Sequence, residues 1–142
     1  MTKEKLRQLL NKIWQEEAPR FFTNVPNTPI LTLTDMTDSR LSKFQYIKCL
    51  GFYDNYNHEI AILPKGYTKR ILIHEIAHAL GFRNHLKQFQ ATMRYLMKKY
   101  VSRGEYITYM NSKKRSKFLR DIKLKDSKIA FHSKKLEYYE ML

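Results

Sequence analysis

The chain of 142 residues has a single cysteine, Cys49, so no intrachain disulfide can brace it and no cysteine-rich metal knuckle can form. A lone thiol fits a reducing compartment, where it reads as a small hydrophobe in a strand. Glycine and proline are scarce, four of each, which argues against collagen-like or low-complexity sequence. Long apolar runs are missing as well. With no span of about 20 apolar residues and no signal-peptide pattern after Met1, a cytoplasmic protein without a membrane segment is expected. The last shortage is of acid: 13 Asp and Glu stand against 27 Lys and Arg, a formal net charge of +14. No solenoid-like repeat is visible, and the length suits a single compact core.

What is present is a helix with chemistry on it. Ile71-Leu72-Ile73-His74-Glu75-Ile76-Ala77-His78-Ala79-Leu80 contains His-Glu-x-x-His, has neither Gly nor Pro inside, and is followed by Gly81 where a helix C′ residue belongs. Residues four apart sit one turn above one another on a helix, so His74 and His78 can bind one metal ion while Glu75 reaches water on it. A catalytic zinc ion takes three protein ligands and keeps a fourth position open, so a third ligand is required. In the metzincin spacing, His-Glu-x-x-His-x-x-Gly-x-x-His, Gly81 matches, but the last ligand position falls on Asn84 and the histidine comes one residue later. An arrangement that fits better has Asn84 as N-cap of a second helix from about His85 to Tyr100, with His85 in its first turn. His85, Phe89, Met93 and Leu96 then share the inward face, and Lys87, Arg94, Lys98 and Lys99 look outward. Two inert histidines on a half-buried helix would be the plain alternative. Three of the five histidines lying between 74 and 85 speak against it.

The run His74 to His78, then Arg83-Asn84-His85 followed by Phe89 and Met93, resembles the SprT-like and YgjP-type zinc metallopeptidases, over roughly residues 28 to 100. That resemblance implies His74, His78 and His85 as zinc ligands and Glu75 as the catalytic acid/base. It also implies an edge strand near the cleft that takes an extended substrate by β-addition. Many SprT-like proteins carry a C-terminal zinc ribbon with two cysteine pairs, which this chain lacks.

Along the chain, residues 3 to 17 predict an amphipathic helix through Leu6, Leu9, Leu10, Ile13 and Trp14, capped by Thr2 and with Pro19 beyond its end. Residues 24–29 are a loop. Strands are predicted at Ile30–Thr34, Gln45–Phe52 and His58–Leu63, the last two joined as a hairpin by Asp54-Asn55-Tyr56-Asn57. Residues 67–69 start the motif helix. The fold class that follows is α+β: a small mainly antiparallel sheet packed against the N-terminal helix, the metal-binding helix and the helix after it. Residues 1–103 form a zincin-like domain and 104–142 a basic C-terminal extension. In the extension Tyr106–Met110 and Lys128–His132 are expected as strands and Ser112 to about Lys123 as a basic helix, an outline like a zinc ribbon without its cysteines, packed by Tyr106, Tyr109, Phe131, Leu136 and Tyr138.

Charge divides unevenly, with 11 Lys and Arg against 8 Asp and Glu in residues 1–82, and 16 against 5 in residues 83–142. Arg94, Lys98, Lys99, Arg103, Lys113, Lys114, Arg115, Lys117, Arg120, Lys123 and Lys125 can neutralise phosphates, and Tyr95, Tyr100, Tyr106 and Tyr109 can stack on unpaired bases. Nonspecific DNA binding and a nucleoid association are therefore expected, against the alternative of a plain solvated surface. No broad amphipathic face accompanies the charge, so a membrane is not an expected partner.

Two functional classes follow. One is a zinc-dependent endopeptidase, Glu75 taking a proton from the attacking water and returning it to the leaving amine, with DNA-associated proteins, or a single repressor-like partner, as substrates. The other is a noncatalytic nucleic-acid-binding or adaptor protein with a structural or vestigial metal site closed by a fourth ligand, for which His58 and His132 are candidates. An oxyanion donor is needed in the first class; Tyr95, Tyr100, Tyr106, Arg83 and His58 are candidates.

Overall fold

The computed structural model describes residues 1–35, 37–44 and 50–126. The architecture is α+β, four helices and a three-stranded sheet in the order α1 (Lys3–Phe21), β1 (Ile30–Leu33), β2 (Gly51–Asp54), β3 (Glu59–Ile62), α2 (Lys69–Ala79), α3 (Lys87–Tyr100) and α4 (Arg103–Asp126), with short 3-10 turns at Ser39–Phe44 and Pro64–Gly66.

α1 starts where Thr2 Oγ1 accepts the Lys5 N–H and buries Leu6, Leu10, Ile13, Trp14 and Ala18, the i, i+3, i+4 stripe of its sequence. It does not stop before Pro19 but runs through it to Phe21. Proline removes one N–H and crowds the preceding turn. Here the Phe22 N–H closes on the Ala18 carbonyl at 3.1 Å, and Ala18, Phe21 and Phe22 pack on the core, which outweighs the lost bond.

The sheet is mixed, in the order β1-β3-β2. β2 and β3 form the expected antiparallel hairpin, Gly51 opposite Ile62 and Asp54 opposite Glu59. Asp54 Oδ1 accepts the N–H groups of Tyr56 and Asn57 and so shapes the turn. β1 instead runs parallel to β3, Ile30 beside Glu59 and Leu33 beside Ile62, which corrects the mainly antiparallel expectation. The long connection between β1 and the hairpin allows that sense, since parallel neighbours need a crossover. Of the strand expected at Gln45–Phe52, residues 45–49 lie outside the described residues and the rest pairs only from Gly51. Arg40 ties the sheet's other face together, reaching Asp38, Asp54 and Glu59 at 2.8–3.0 Å with its guanidinium over the Phe52 ring.

α2 is the central element, with every residue from Ile71 to Ala77 buried. It packs on α1 and α3 and under the hairpin, in one core cluster that gathers Leu6, Ile60, Leu72, Ile76, Phe89, Met93 and Tyr109. Thr68 Oγ1 caps it by accepting the Ile71 N–H. Gly81, at φ +114, ends it in a conformation that a side chain would strain. Gly51 is needed for a different reason: a Cβ there would lie 3.1 Å from the Ala61 oxygen, 3.2 Å from Ile71 Cγ2 and 3.7 Å from Glu75 Cγ. Its missing side chain lets β2 close onto α2 beside Glu75.

The tail begins as helix. Tyr106–Met110, expected as a strand, lies within α4, and the ribbon-like outline fails at its first strand; Lys128–His132, Leu136 and Tyr138 lie outside the described residues. Ser102 Oγ accepts the Glu105 N–H and donates to Glu105 Oε1, a reciprocal cap that nucleates the helix. Tyr106, Tyr109 and Met110 then fall on one face at helical spacing, with Tyr109 buried in the same core as α2. No helix among the described residues is long and apolar enough to cross a membrane.

Candidate metal centre

α2 delivers His74 and His78 one turn apart, and the chain that leaves it at Gly81 turns back to bring His85 to them. The three Nε2 atoms form a near-equilateral triangle, 3.1 Å between His74 and His85, 3.2 Å between His78 and His74 and 3.2 Å between His78 and His85. A tetrahedral zinc site with Zn–N of about 2.0–2.1 Å needs donor nitrogens about 3.3 Å apart. The donors are thus at the spacing such an ion requires. Among the described residues this is the group of His, Cys, Asp and Glu side chains that can hold a metal ion.

The rings are oriented by their surroundings. His78 Nδ1 is 2.6 Å from the Phe82 carbonyl oxygen, which can only accept, so Nδ1 carries the hydrogen and Nε2 keeps its lone pair. Phe89 seats all three imidazoles, with ring centroids 4.7–4.9 Å away and the His78 ring stacked on it. His85 does not open a helix as expected. α3 starts at Lys87 with Leu86 as its cap residue and no side-chain cap, while Asn84 Oδ1 meets the Leu86 N–H at 3.4 Å. His85 sits in the turn before the helix, its carbonyl held by Gln90 Nε2 at 3.1 Å. Phe89, Met93 and Leu96 do occupy the buried face of α3.

Electrostatics favours neutral ligands. Burial pushes the His74 pKa well below its ordinary value, helped by His78, His85, Lys113 and Arg70. Burial, then His78 and Lys113, lower His85 to about 4, and burial lowers His78 against the opposing Phe82 hydrogen bond. All three offer lone pairs at neutral pH. Glu75 is 2% exposed, and burial raises its carboxyl to about 8.

Glu75 and His78 line a cleft of about 670 Å³ together with Phe22, Tyr53, His58 and Arg83. One wall is the hairpin and the other the loop after α1, which is pinned where Trp14 Nε1 donates to the Pro26 carbonyl at 2.9 Å. Of the residues considered as oxyanion donors, Arg83 and His58 stand in the cleft. Tyr95 and Tyr100 are turned to Glu17, and Tyr106 packs against the core beside Tyr109. His58 is not a metal ligand: its ring nitrogens face Tyr53 Oη and the Asn27 carbonyl. His132 lies outside the described residues. Tyr53 was missed by sequence reasoning. Its signal was the two-residue period of a strand, which puts it on the face of Gly51, where a Cβ would lie 3.7 Å from Glu75 Cγ.

The basic residues divide. Arg94, Lys98 and Lys114 are exposed. Lys99 pairs with Glu17 at 2.7 Å, and Lys113 lies over the Tyr109 ring. Arg115, Lys117 and Arg120 are carried on α4. Tyr109 is buried, so it offers no stacking face, and the Tyr100 hydroxyl donates to Glu16 and Glu17.

No protein-family model matches the chain, and neither a curated protein nor a solved structure matches it. The functional reading therefore stands on the site's own geometry.

Proposed function

We propose that the protein is a zinc-dependent endopeptidase of the His-Glu-x-x-His kind, similar in its motif to the SprT-like and YgjP-type metallopeptidases. His74, His78 and His85 hold the ion, and Glu75 is the catalytic acid/base. The observation that carries this reading is the convergence of three Nε2 atoms within 3.2 Å of one another beside a buried carboxyl that lines an open cleft. A three-histidine set without a fourth protein donor among the described residues supports a catalytic over a structural reading of the site. Zinc there supplies a Lewis acid for a scissile carbonyl and lowers the pKa of water to near neutrality.

The chain's own residues do the rest. Glu75 takes a proton from the attacking water and gives it to the departing amine. Its carboxyl is lifted to about 8 by burial; the charge of an ion held by His74, His78 and His85 would bring it back toward the carboxylate range and suit it to act first as base. The Phe82 carbonyl and the Phe89 ring keep the imidazoles from turning away. The apolar walls Phe22 and Pro26 favour an extended, unfolded segment over a small polar metabolite.

Glu75→Gln, assayed on labelled casein with zinc content measured alongside, is expected to keep one zinc per chain and lose about 10²- to 10⁴-fold in cleavage rate. A zinc-loaded wild type that leaves casein intact, or a Glu75→Gln variant as active as wild type, removes the peptidase reading.

A further inference from the structure

Tyr53 is the polar group of the cleft whose hydrogen-bonding sense the fold itself decides. The Asn27 carbonyl can only accept, so the His58 Nε2 that faces it carries a hydrogen. In the tautomer this contact fixes, Nδ1 is a lone pair, and the Tyr53 O–H, 2.8 Å away, donates to it. The Tyr53 oxygen is left with lone pairs only, on a residue that lines the cleft together with Glu75 and His78. Burial, and then the Asp54 charge, raise the Tyr53 pKa, so the hydroxyl stays protonated.

His58 is held in this role at some cost. It is the non-glycine residue at positive φ, +50, among the described residues, a left-handed conformation that side chains seldom adopt. Trp14 meets its ring edge-on at 5.5 Å and the Tyr53 ring does so at 5.9 Å. A strained residue with both ring nitrogens engaged, placed behind a cleft tyrosine, is an arrangement for fixing that tyrosine's polarity.

We propose that Tyr53 is a specificity-determining residue of the cleft: its oxygen, made an acceptor by His58, receives a backbone N–H of an extended peptide, and His58 is the positioning residue behind it. The inference rests on the peptidase reading for the class of ligand. It selects amide N–H against ester oxygen or N-methyl amide at one substrate position, because those put a lone pair or a methyl group against the Tyr53 oxygen.

The test uses the zinc-loaded full chain and binding by calorimetry of a tripeptide hydroxamate and each of its singly N-methylated forms. Wild type is expected to bind one N-methylated form about five- to tenfold more weakly than the parent, the worth of one hydrogen bond. Tyr53→Phe should bind the parent more weakly by a similar factor and no longer tell the two apart, with zinc content unchanged. His58→Asn, which tolerates positive φ, should keep Tyr53 in place but free its proton, and should lose the discrimination too. Wild type that fails to bind the parent, or treats all N-methylated forms alike, overturns the inference, as does a Tyr53→Phe variant that still discriminates. Hydroxamate binding without casein cleavage would count against the peptidase reading alone and leave this test standing.

Discussion

Two carboxyls are buried in this fold, and they show opposite answers to the same problem. Glu17 on α1 is fully covered and Glu75 on α2 is 2% exposed. Burial pushes the Glu17 pKa up, but hydrogen bonds from Lys99, Tyr100 and Tyr95 outweigh it and hold the carboxyl below its usual range. They reach Oε1 at 2.7, 2.8 and 3.2 Å. For Glu75 burial goes unopposed among the described residues and lifts the carboxyl to about 8. Its neighbours on α2, His74 and His78, aim lone pairs at the same point as His85. The fold satisfies Oε1 of the first carboxyl from within, while Glu17 Oε2 has no hydrogen-bond partner among the described residues, and the second carboxyl stands on α2 between two of the three histidines that could hold a metal ion.

The sharpest way to break that contrast is to add a metal ion. Three imidazoles gathered at 3.1–3.2 Å gain nothing from one another, so an ion bound only by the folded chain stabilises it by mass action. Zinc at a thousand times its dissociation constant is expected to raise unfolding free energy by about 4 kcal/mol, read from denaturant melts with and without the metal. His78→Ala should abolish the gain. An equal gain in that variant would mean the ion sits elsewhere and the two centres are alike.

A paired substitution tests the same contrast with smaller effects. Glu17→Gln replaces an acceptor of three hydrogen bonds and an ion pair by a neutral amide. Water is one layer away, over half-exposed Lys99 and Tyr95, so the cost is discounted to about 1–2 kcal/mol. Glu75→Gln in metal-free protein should cost less than about 0.5 kcal/mol or stabilise slightly, because the carboxyl it removes has no partner to lose. Chemical denaturation of both variants without metal checks the pair. Equal losses would show that Glu75 is as well satisfied as Glu17 and that its cleft is part of the scaffold.

How far this contrast can be read from sequence depends on how local its causes are. The His74, Glu75, His78 spacing, the apolar flanks and Gly81 are local, and so is the capping by Thr2; all three histidines meet where that spacing asks. The start of α3 was misjudged because Asn84 resembles a cap, whereas the turn after Gly81 is set by where His85 must reach. Tyr106–Met110 looked like a strand from its aromatic and β-branched content, although Ser102 and Glu105 spell a helix start and Tyr106, Tyr109 and Met110 keep a three-four spacing. β1 alternates equally well in either direction, so only its partner fixes the parallel sense. Glu17 reads as one more polar residue on an amphipathic helix. Its burial depends on Lys99, Tyr95 and Tyr100, about eighty residues away.

The smallest effect expected is in acid. A carboxyl whose folded pKa lies below its unfolded value of 4.5 contributes stability that is fully present above 4.5 and is lost as pH falls through the folded value. The charged neighbours of Glu17 are Lys99, Glu16 and Arg20. The stability difference between wild type and Glu17→Gln should therefore be constant from about pH 7 down to 5 and narrow steadily below 4.5. Subtracting the two curves removes the imidazoles and the Arg40 carboxylates, which titrate alike in both proteins. Thermal melts at pH steps from 6 to 3 measure the gap. A gap that widens as pH falls would require a folded pKa raised above 4.5, as burial without partners produces, and would move Glu17 into the same class as Glu75.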